Sequence, residues 1–424
     1  MPVSDELSRL YTAILKAELV PAMGCTEPIA IAYAAAKARE TLGCLPTEAD
    51  LVVSSNIIKN VKSVVVPNTG GLKGLEAALA AGAAAGDAAR VLQVISQVDD
   101  EGRAAIRNFL ERVPVRVTPS ESGEIFDILV ELRAGEACAR VRITSCHTNV
   151  VLVEKNGKTV FEGSAQGDES HPEGYEALNV KDILEYAETV DLEPVREMLE
   201  RQIEYNSAIS EAGLTGDWGA AIGKTLLKMY GSDVMVRAKA AAAAGSDARM
   251  SGCEKPVIIN SGSGNQGMTA SLPVIVYAQE LGKTHEELLR GLLLSNLLTI
   301  HLKTGIGRLS AYCGAVCAGC AAGAAIAWLN GGTYQDITHT LVNGLAIVSG
   351  IICDGAKPSC AAKIASAVDA GILGWQMYQN GHQFYGGDGI VRSGVEETIR
   401  SVGRLGREGM GGTDRTIIEI MTGR

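Results

Sequence analysis

Residues 311–329 read AYCGAVCAGCAAGAAIAWL, a stretch nearly long enough to cross a bilayer and without one charged side chain. Its apolar character comes from Ala, Gly and Cys, small residues with little transfer energy into lipid. The segments on either side read as helical and carry charge, with His301, Lys303 and Arg308 close upstream. A stretch that is apolar all round but made of small side chains predicts a helix buried on every side within a helical protein core. No membrane partner is expected.

Outward from that helix the pattern holds in one direction and breaks in the other. From 180 to the C-terminus almost every segment is helix-patterned and punctuated by Gly. At the N-terminus, 5–19 is amphipathic and 28–42 starts with Pro28 in a first turn, behind Thr26 and Glu27. Between them Val20–Thr26 forms a turn that delivers Cys25 to a helix N-terminus. From about 50 to 165 the texture changes to Val-rich runs at Val64–Val66, Val113–Val117, Ile125–Arg133, Ala139–Thr144 and Val150–Glu154. Lys155-Asn156-Gly157-Lys158 is a hairpin signal. Helical pieces at 71–85 and 101–112 interrupt the strands, and Gly163–Gly174 has a linker's composition. The expected class is α+β: a large all-helical domain with an inserted smaller α+β domain containing an antiparallel sheet. Residues 1–45 are assigned to the helical domain, 46–170 to the insert and 171–424 to the helical catalytic domain.

The 424 residues carry 38 Lys+Arg against 49 Asp+Glu, a formal charge of −11 that argues against a nucleic-acid partner. Aromatics are only 4%, while Gly numbers 49, so small side chains favour close backbone approach around a small ligand. Ten cysteines remain to be explained. A chain of this size does not need a secreted disulfide framework, and MPVSDELSRLY lacks a signal peptide's basic-then-apolar run. A cytoplasmic location with reduced thiols is expected. About half the cysteines, Cys44, Cys138 and Cys253 included, read as small buried hydrophobes.

Three others can carry chemistry. Cys313 lies at the start of the Ala/Gly helix, Cys353 closes the apolar run 345–353, and Cys360 ends Asp354-Gly355-Ala356-Lys357-Pro358-Ser359-Cys360. Cysteines before and after a Gly/Pro turn can aim both sulfurs into one cavity. Three thiolates on a four-iron cluster leave one iron open as a Lewis acid, the property a lyase needs; buried thiols or a zinc site are the alternatives. Cys313, Cys317 and Cys320 also show the C-x3-C-x2-C spacing of radical S-adenosylmethionine enzymes. That spacing is equally one face of an Ala-rich helix, and the repeated βα units of those enzymes are missing.

The loop Ser261-Gly262-Ser263-Gly264-Asn265-Gln266-Gly267 follows a short apolar strand and precedes a helix near Met268. Its freed amides can form a nest for a carboxylate or phosphate, making Ser261, Gly262, Ser263, Gly264 and Asn265 candidate substrate ligands. Pyridoxal-phosphate enzymes use similar loops, but no Schiff-base lysine context accompanies this one. Cys25, at a helix N-terminus, is a candidate base or nucleophile with a lowered pKa, and Glu27 is the carboxylate alternative. His147, in Ser145-Cys146-His147-Thr148-Asn149, is a candidate acid or a core histidine. Asn56 and Lys59 are candidate contacts to a substrate carboxylate, or surface residues.

Jointly, several of these segments resemble the iron–sulfur L-cysteine desulfidases and, more distantly, the catalytic α portion of bacterial iron–sulfur L-serine dehydratases. The carriers are Pro21-Ala22-Met23-Gly24-Cys25-Thr26-Glu27-Pro28, His147-Thr148-Asn149, Ser246-Asp247-Ala248-Arg249-Met250 and Ser261–Gly267. Arg308-Leu309-Ser310-Ala311, Ile352–Cys360 and Thr413-Asp414-Arg415 complete the set. The resemblance covers nearly the whole chain. It implies a 4Fe–4S cluster with one open iron site held by Cys313, Cys353 and Cys360, with Cys25 as proton acceptor. Cys317 and Cys320 match no ligand of that family. The implied reaction is pyridoxal-phosphate-independent β-elimination, L-cysteine giving pyruvate, ammonia and hydrogen sulfide, with L-serine as alternative substrate. A protein that binds an amino acid or a cluster as a sensor, without turnover, is the competing class. A homodimer is common among such enzymes.

Overall fold

The helix foreseen in 311–329 runs Gly314–Leu329, with Cys313 as its N-cap. Residues 315–327 and Leu329 are all buried. It is enclosed by the helices Gly264–Glu280, His285–Thr304, Tyr334–Val348 and Cys360–Gln379. Its small residues let the last of these come unusually close. A Cβ on Gly319 would overlap the backbone of Ala367, and one on Gly323 would overlap that of Gly371. Ala and Gly there are a condition of the packing. The computed structural model describes residues 3–164, 174–307 and 309–423. Most of the expected linker at 163–174, and Arg308, lie outside the described residues. Among those described, no helix is long and apolar enough to cross a membrane.

The α+β class is observed, with a large helical part and a six-stranded sheet. In spatial order the strands are Val115–Pro119, Glu48–Val53, Asp127–Ala134, Ala137–Thr144, Val150–Lys155 and Lys158–Glu162. Every neighbouring pair is antiparallel except the first, where Val115–Pro119 runs parallel to Glu48–Val53. The crossover that parallel pairing requires contains the helices Ser55–Val61, Gly74–Ala85 and Asp100–Arg112. The Lys155–Lys158 turn has Asn156 at φ +52° and Gly157 at φ +74°, the two positive angles of a type I′ hairpin. Val64–Val66 forms no strand; Val65 makes only an isolated bridge to Lys73. The short length and the Pro67 that follows leave it no room for a ladder.

The two N-terminal helices have different partners. Asp5–Glu18 packs on the long helix Glu193–Thr215. Thr26–Leu42, buried almost throughout, lies between the sheet's central strands and the helix Gly74–Ala85. The body of that helix therefore belongs with the sheet, while its N-terminus, which carries Cys25, reaches the glycine loop through the hydrogen bond from Thr26 Oγ1 to the Gly262 carbonyl.

Two small pairings aim the loops that matter. Pro21–Met23 pairs antiparallel with Pro256–Ile258, which seats the Cys25 turn beside the glycine loop. Tyr312 bridges to Ile352, the Cys313 N–H donates to the Ile351 carbonyl (3.1 Å) and the Cys353 N–H to the Ala311 carbonyl (2.6 Å). Cys313 and Cys353, forty positions apart in sequence, are thereby fixed side by side.

Candidate active site

One cavity of about 100 Å³ is lined by Cys313, Cys353, Cys360, Cys25, Glu27 and Lys59, together with Ser263 and Asn265. All but Cys353, which lies in the loop bridged to Ala311 and Tyr312, come from a helix end or the turn before it. Cys25 caps Thr26–Leu42, Cys313 caps Gly314–Leu329, Ser263 caps Gly264–Glu280, and Cys360 opens Cys360–Gln379. Four helix N-termini therefore converge, and their partial positive charge favours anionic groups.

The Cys353 sulfur acts on both of the other thiols. Burial, reinforced by the nearby Cys353 sulfur, pushes Cys313 up to about 12. Burial likewise raises Cys360, with Cys353 again adding to it. The loop between Cys353 and Cys360 is tied down by Asp354, which pairs with both Lys357 and Lys363.

In the same cavity, the Cys25 thiol donates to Glu27 Oε2 at 3.0 Å, and Asn60 Nδ2 donates to Glu27 Oε1 at 2.9 Å. Burial raises the Cys25 pKa well above the ordinary thiol value, the Glu27 charge adds to this, and Arg249 pulls only partly the other way. The lowered thiol pKa expected at a helix N-terminus is therefore not observed; desolvation outweighs the helix dipole. Burial also opposes ionisation of Glu27, but His147, the Cys25 hydrogen bond and Arg249 together outweigh it, so its pKa is lowered. The resting pair is a neutral thiol on a carboxylate. His147 is buried, with its ring edge-on to Phe126 at 4.9 Å.

Lys59 lines the cavity, but its ammonium is paired with Asp414 of the C-terminal helix Gly411–Thr422. Asn56 lines a neighbouring cavity of about 390 Å³ instead, which shares the wall residues Leu309 and Ser310 with the first. In the glycine loop, Ser263 and Asn265 face the site. Ser261, at φ +49°, turns its hydroxyl to Asn260 Oδ1, and the Gly262 carbonyl accepts from Thr26 Oγ1 at 2.9 Å. Gly264 leaves room for the Arg249 guanidinium, which a Cβ would strike. These three build the loop and do not line the cavity.

Residues to which the sequence had attached no role also line it: Asn60, Arg249, Gln266, Lys303 and Tyr312. For Arg249 a signal existed. A lone arginine at the end of the Ala-rich helix Val234–Met250, whose last turns are wholly buried, needs a polar partner. Of the remaining cysteines, Cys317 and Cys320 are buried in helix packing, and burial raises both. Cys253 is buried as expected, Cys138 is half-buried, and Cys44 is exposed, contrary to expectation, because it lies in the turn after Leu42.

A family model described as serine dehydratase alpha chain matches residues 89–419, which include all three clustered cysteines, Arg249 and the glycine loop. The chain belongs to that family. Curated relatives extend the likeness over Cys25 and Lys59 as well. A UPF0597 protein of Desulfitobacterium hafniense (strain Y51) is 58% identical over 99% of this chain and 98% of its own. Others from Finegoldia magna and Fusobacterium nucleatum are 51% and 46% identical, over 97% and 96% of this chain and 99% and 97% of theirs. Membership in the serine dehydratase alpha chain family gives the chain a general iron–sulfur dehydratase-like lyase role.

The residues suit such a cofactor. Among the described residues, no three Cys, His, Asp or Glu are grouped closely enough to hold a single metal ion. Cys313, Cys353 and Cys360 line a single cavity, which suits thiolates that would each hold a separate iron of a cluster. Lys303, fully buried beside Cys313, Cys317 and Cys353, makes no ion pair among the described residues. Burial lowers its pKa while the neighbouring sulfurs oppose the shift. A buried ammonium facing thiols suits an anionic group bound by them.

Proposed function

We propose that the protein is an iron–sulfur-dependent lyase that eliminates the β-substituent of a small L-amino acid, with L-cysteine as substrate and pyruvate, ammonia and hydrogen sulfide as products. The observation that carries this is that the Cys25–Glu27 pair and Cys313, Cys353 and Cys360 line one small cavity. The three cysteines would hold a 4Fe–4S cluster, whose open iron supplies a Lewis acid for the leaving sulfur when bound.

The protein's own groups account for the proton. The Cys25 sulfur takes the α-proton while its own proton passes to Glu27 Oε2. The Cα–H electron pair forms the new double bond, and the Cβ–S bond breaks with its pair going to sulfide. Released aminoacrylate tautomerises and is hydrolysed to pyruvate and ammonia. A thiol whose pKa is raised becomes, once deprotonated, the stronger base toward a weakly acidic C–H, and Glu27 is ionised to receive the displaced proton. A cavity this small, walled by Gly314, Ala315, Gly355 and Ala356, excludes bulk water from that exchange. All ten cysteines are free thiols, which fits a reducing, cytoplasmic setting.

L-Serine is the second reading, favoured by the family's description. The test is anaerobic purification with iron and sulfide analysis, followed by pyruvate and sulfide assays on L-cysteine and L-serine. Pyruvate with stoichiometric sulfide from L-cysteine is expected. Little iron and no pyruvate after reconstitution would overturn the proposal, and tight amino-acid binding without turnover would favour a sensor.

A further inference from the structure

Around the same cavity, four side chains more than nine-tenths buried hold polar atoms that no group in the protein satisfies: Arg249 Nε, Asn60 Oδ1, Gln266 Oε1 and the Tyr312 hydroxyl. Buried polar atoms are rarely left so unless a ligand or water completes them. Their chemistry is not random. Arg249 brings a permanent positive charge and makes no ion pair with a carboxylate among the described residues; its Nη1 donates to Asn265 Oδ1 at 3.1 Å, which fixes the guanidinium plane. Asn60 already spends its NH2 on Glu27, so the amide orientation is set and its free oxygen is an acceptor. One fixed cation and an acceptor oxygen lining the same cavity are the complement of a carboxylate next to an ammonium.

We infer that Arg249 binds the α-carboxylate of the substrate and Asn60 Oδ1 accepts from its α-ammonium, so that this pair reads the α-amino-acid group itself. The inference rests on the lyase reading for the identity of the site, and it relocates recognition from the glycine loop to Arg249. Gln266, whose side chain lies against Gly314, stands ready as a second acceptor. The arrangement has a consequence for the chemistry: Asn60 bridges the ammonium and Glu27, so a substrate held at both charges has its Cα set by the same amide that orients the proton acceptor. Gly264 is what admits the guanidinium, which explains a glycine there without any contact to substrate.

Binding of L-alanine, propionate and ethylamine to the anaerobically purified full chain tests this by calorimetry. L-Alanine has both charges and no β-leaving group, and each of the others lacks one charge. Arg249→Gln is expected to weaken L-alanine and propionate by about 10- to 100-fold and leave ethylamine unchanged. Asn60→Ser is expected to weaken L-alanine and ethylamine but not propionate. Arg249→Lys, which keeps the charge, should recover part of the loss and guards against misfolding of the glutamine variant. Unchanged L-alanine affinity in Arg249→Gln, equal loss for all three probes in a folded variant, or no L-alanine binding to the wild type would each overturn the inference. Selective L-alanine binding without pyruvate from L-cysteine would instead fail the lyase reading and leave the assignment of Arg249 standing.

Discussion

The Cys25 thiol donates a hydrogen bond to Glu27 Oε2 at 3.0 Å, two residues along the first turn of the same helix. The donor direction decides the order of proton movement: sulfur cannot accept from carbon until Glu27 has accepted from sulfur. Cys25→Ser, with a far less acidic hydroxyl, should lower kcat by about 100- to 10,000-fold while iron content stays near that of the wild type. Glu27→Gln should do the same. Near-normal turnover of Cys25→Ser with an intact cluster would remove it from the chemistry.

The pH profile tests the same pair. Burial raises the Glu27 pKa, yet His147 leads the groups that outweigh it and bring it below the ordinary carboxylate value. Glu27 therefore stays an ionised acceptor as pH falls, and is lost only below the usual carboxylate range. His147→Asn removes the leading opposing charge and should move the acid limb of kcat/KM toward higher pH. An acid limb unmoved in that variant would show that His147 does not tune Glu27.

Iron analysis should divide the cysteines. Cys313→Ser, Cys353→Ser and Cys360→Ser are each expected to lower bound iron and sulfide after anaerobic reconstitution. Cys317→Ala and Cys320→Ala should retain iron and lose about 1–2 kcal/mol of stability, because both sulfurs only fill space within the helix packing. Iron loss in the second group as well would show that the C-x3-C-x2-C spacing has a role in binding.

Much of this was legible in the chain because it depended on local chemistry. The buried helix after Cys313, the Asn156-Gly157 turn and the delivery of Cys25 to a helix N-terminus all follow from short patterns. What stayed hidden depends on partners distant in sequence. Nothing near Val115 announces parallel pairing with Glu48–Val53, and nothing in Thr26–Leu42 says that it rests on the sheet. The Cys25 pKa went the other way because total burial is a property of the assembled fold, whereas the helix dipole can be read from position alone. Arg249 was visible as a residue but not as a site, since its meaning comes from the unfilled hydrogen-bonding atoms around it.

Glycine positions separate packing from propensity. Gly371→Ala should cost about 1–3 kcal/mol, because its Cβ would overlap the backbone of Gly319 and neither helix can withdraw without opening the core. Gly412→Ala, on the C-terminal helix with nothing near its Cβ, should instead stabilise by about 0.5–1 kcal/mol. Thermal or chemical denaturation reads both. A neutral Gly371→Ala would mean that the two helices do not approach as closely as their backbones indicate.

The C-terminal helix is held beside the neighbouring cavity by two lysines of the segment following Ser54. Lys59 pairs with Asp414, and the Lys62 ammonium donates to the Met421 carbonyl. The Lys59 side chain is 1% exposed and that of Asp414 15%, so the ion pair is largely removed from water. Removing one partner leaves the other as an uncompensated charge. Asp414→Asn is therefore expected to cost about 3–5 kcal/mol, whereas the double change Lys59→Met with Asp414→Leu should recover most of that loss, because no charge remains to be desolvated. Denaturation of the wild type, Lys59→Met, Asp414→Leu and the double variant gives the coupling directly, and a coupling near zero would show that the pair is not what holds this helix down. Limited proteolysis adds a local readout: cleavage within 411–422 should accelerate in Asp414→Asn and return toward the wild-type rate in the double variant.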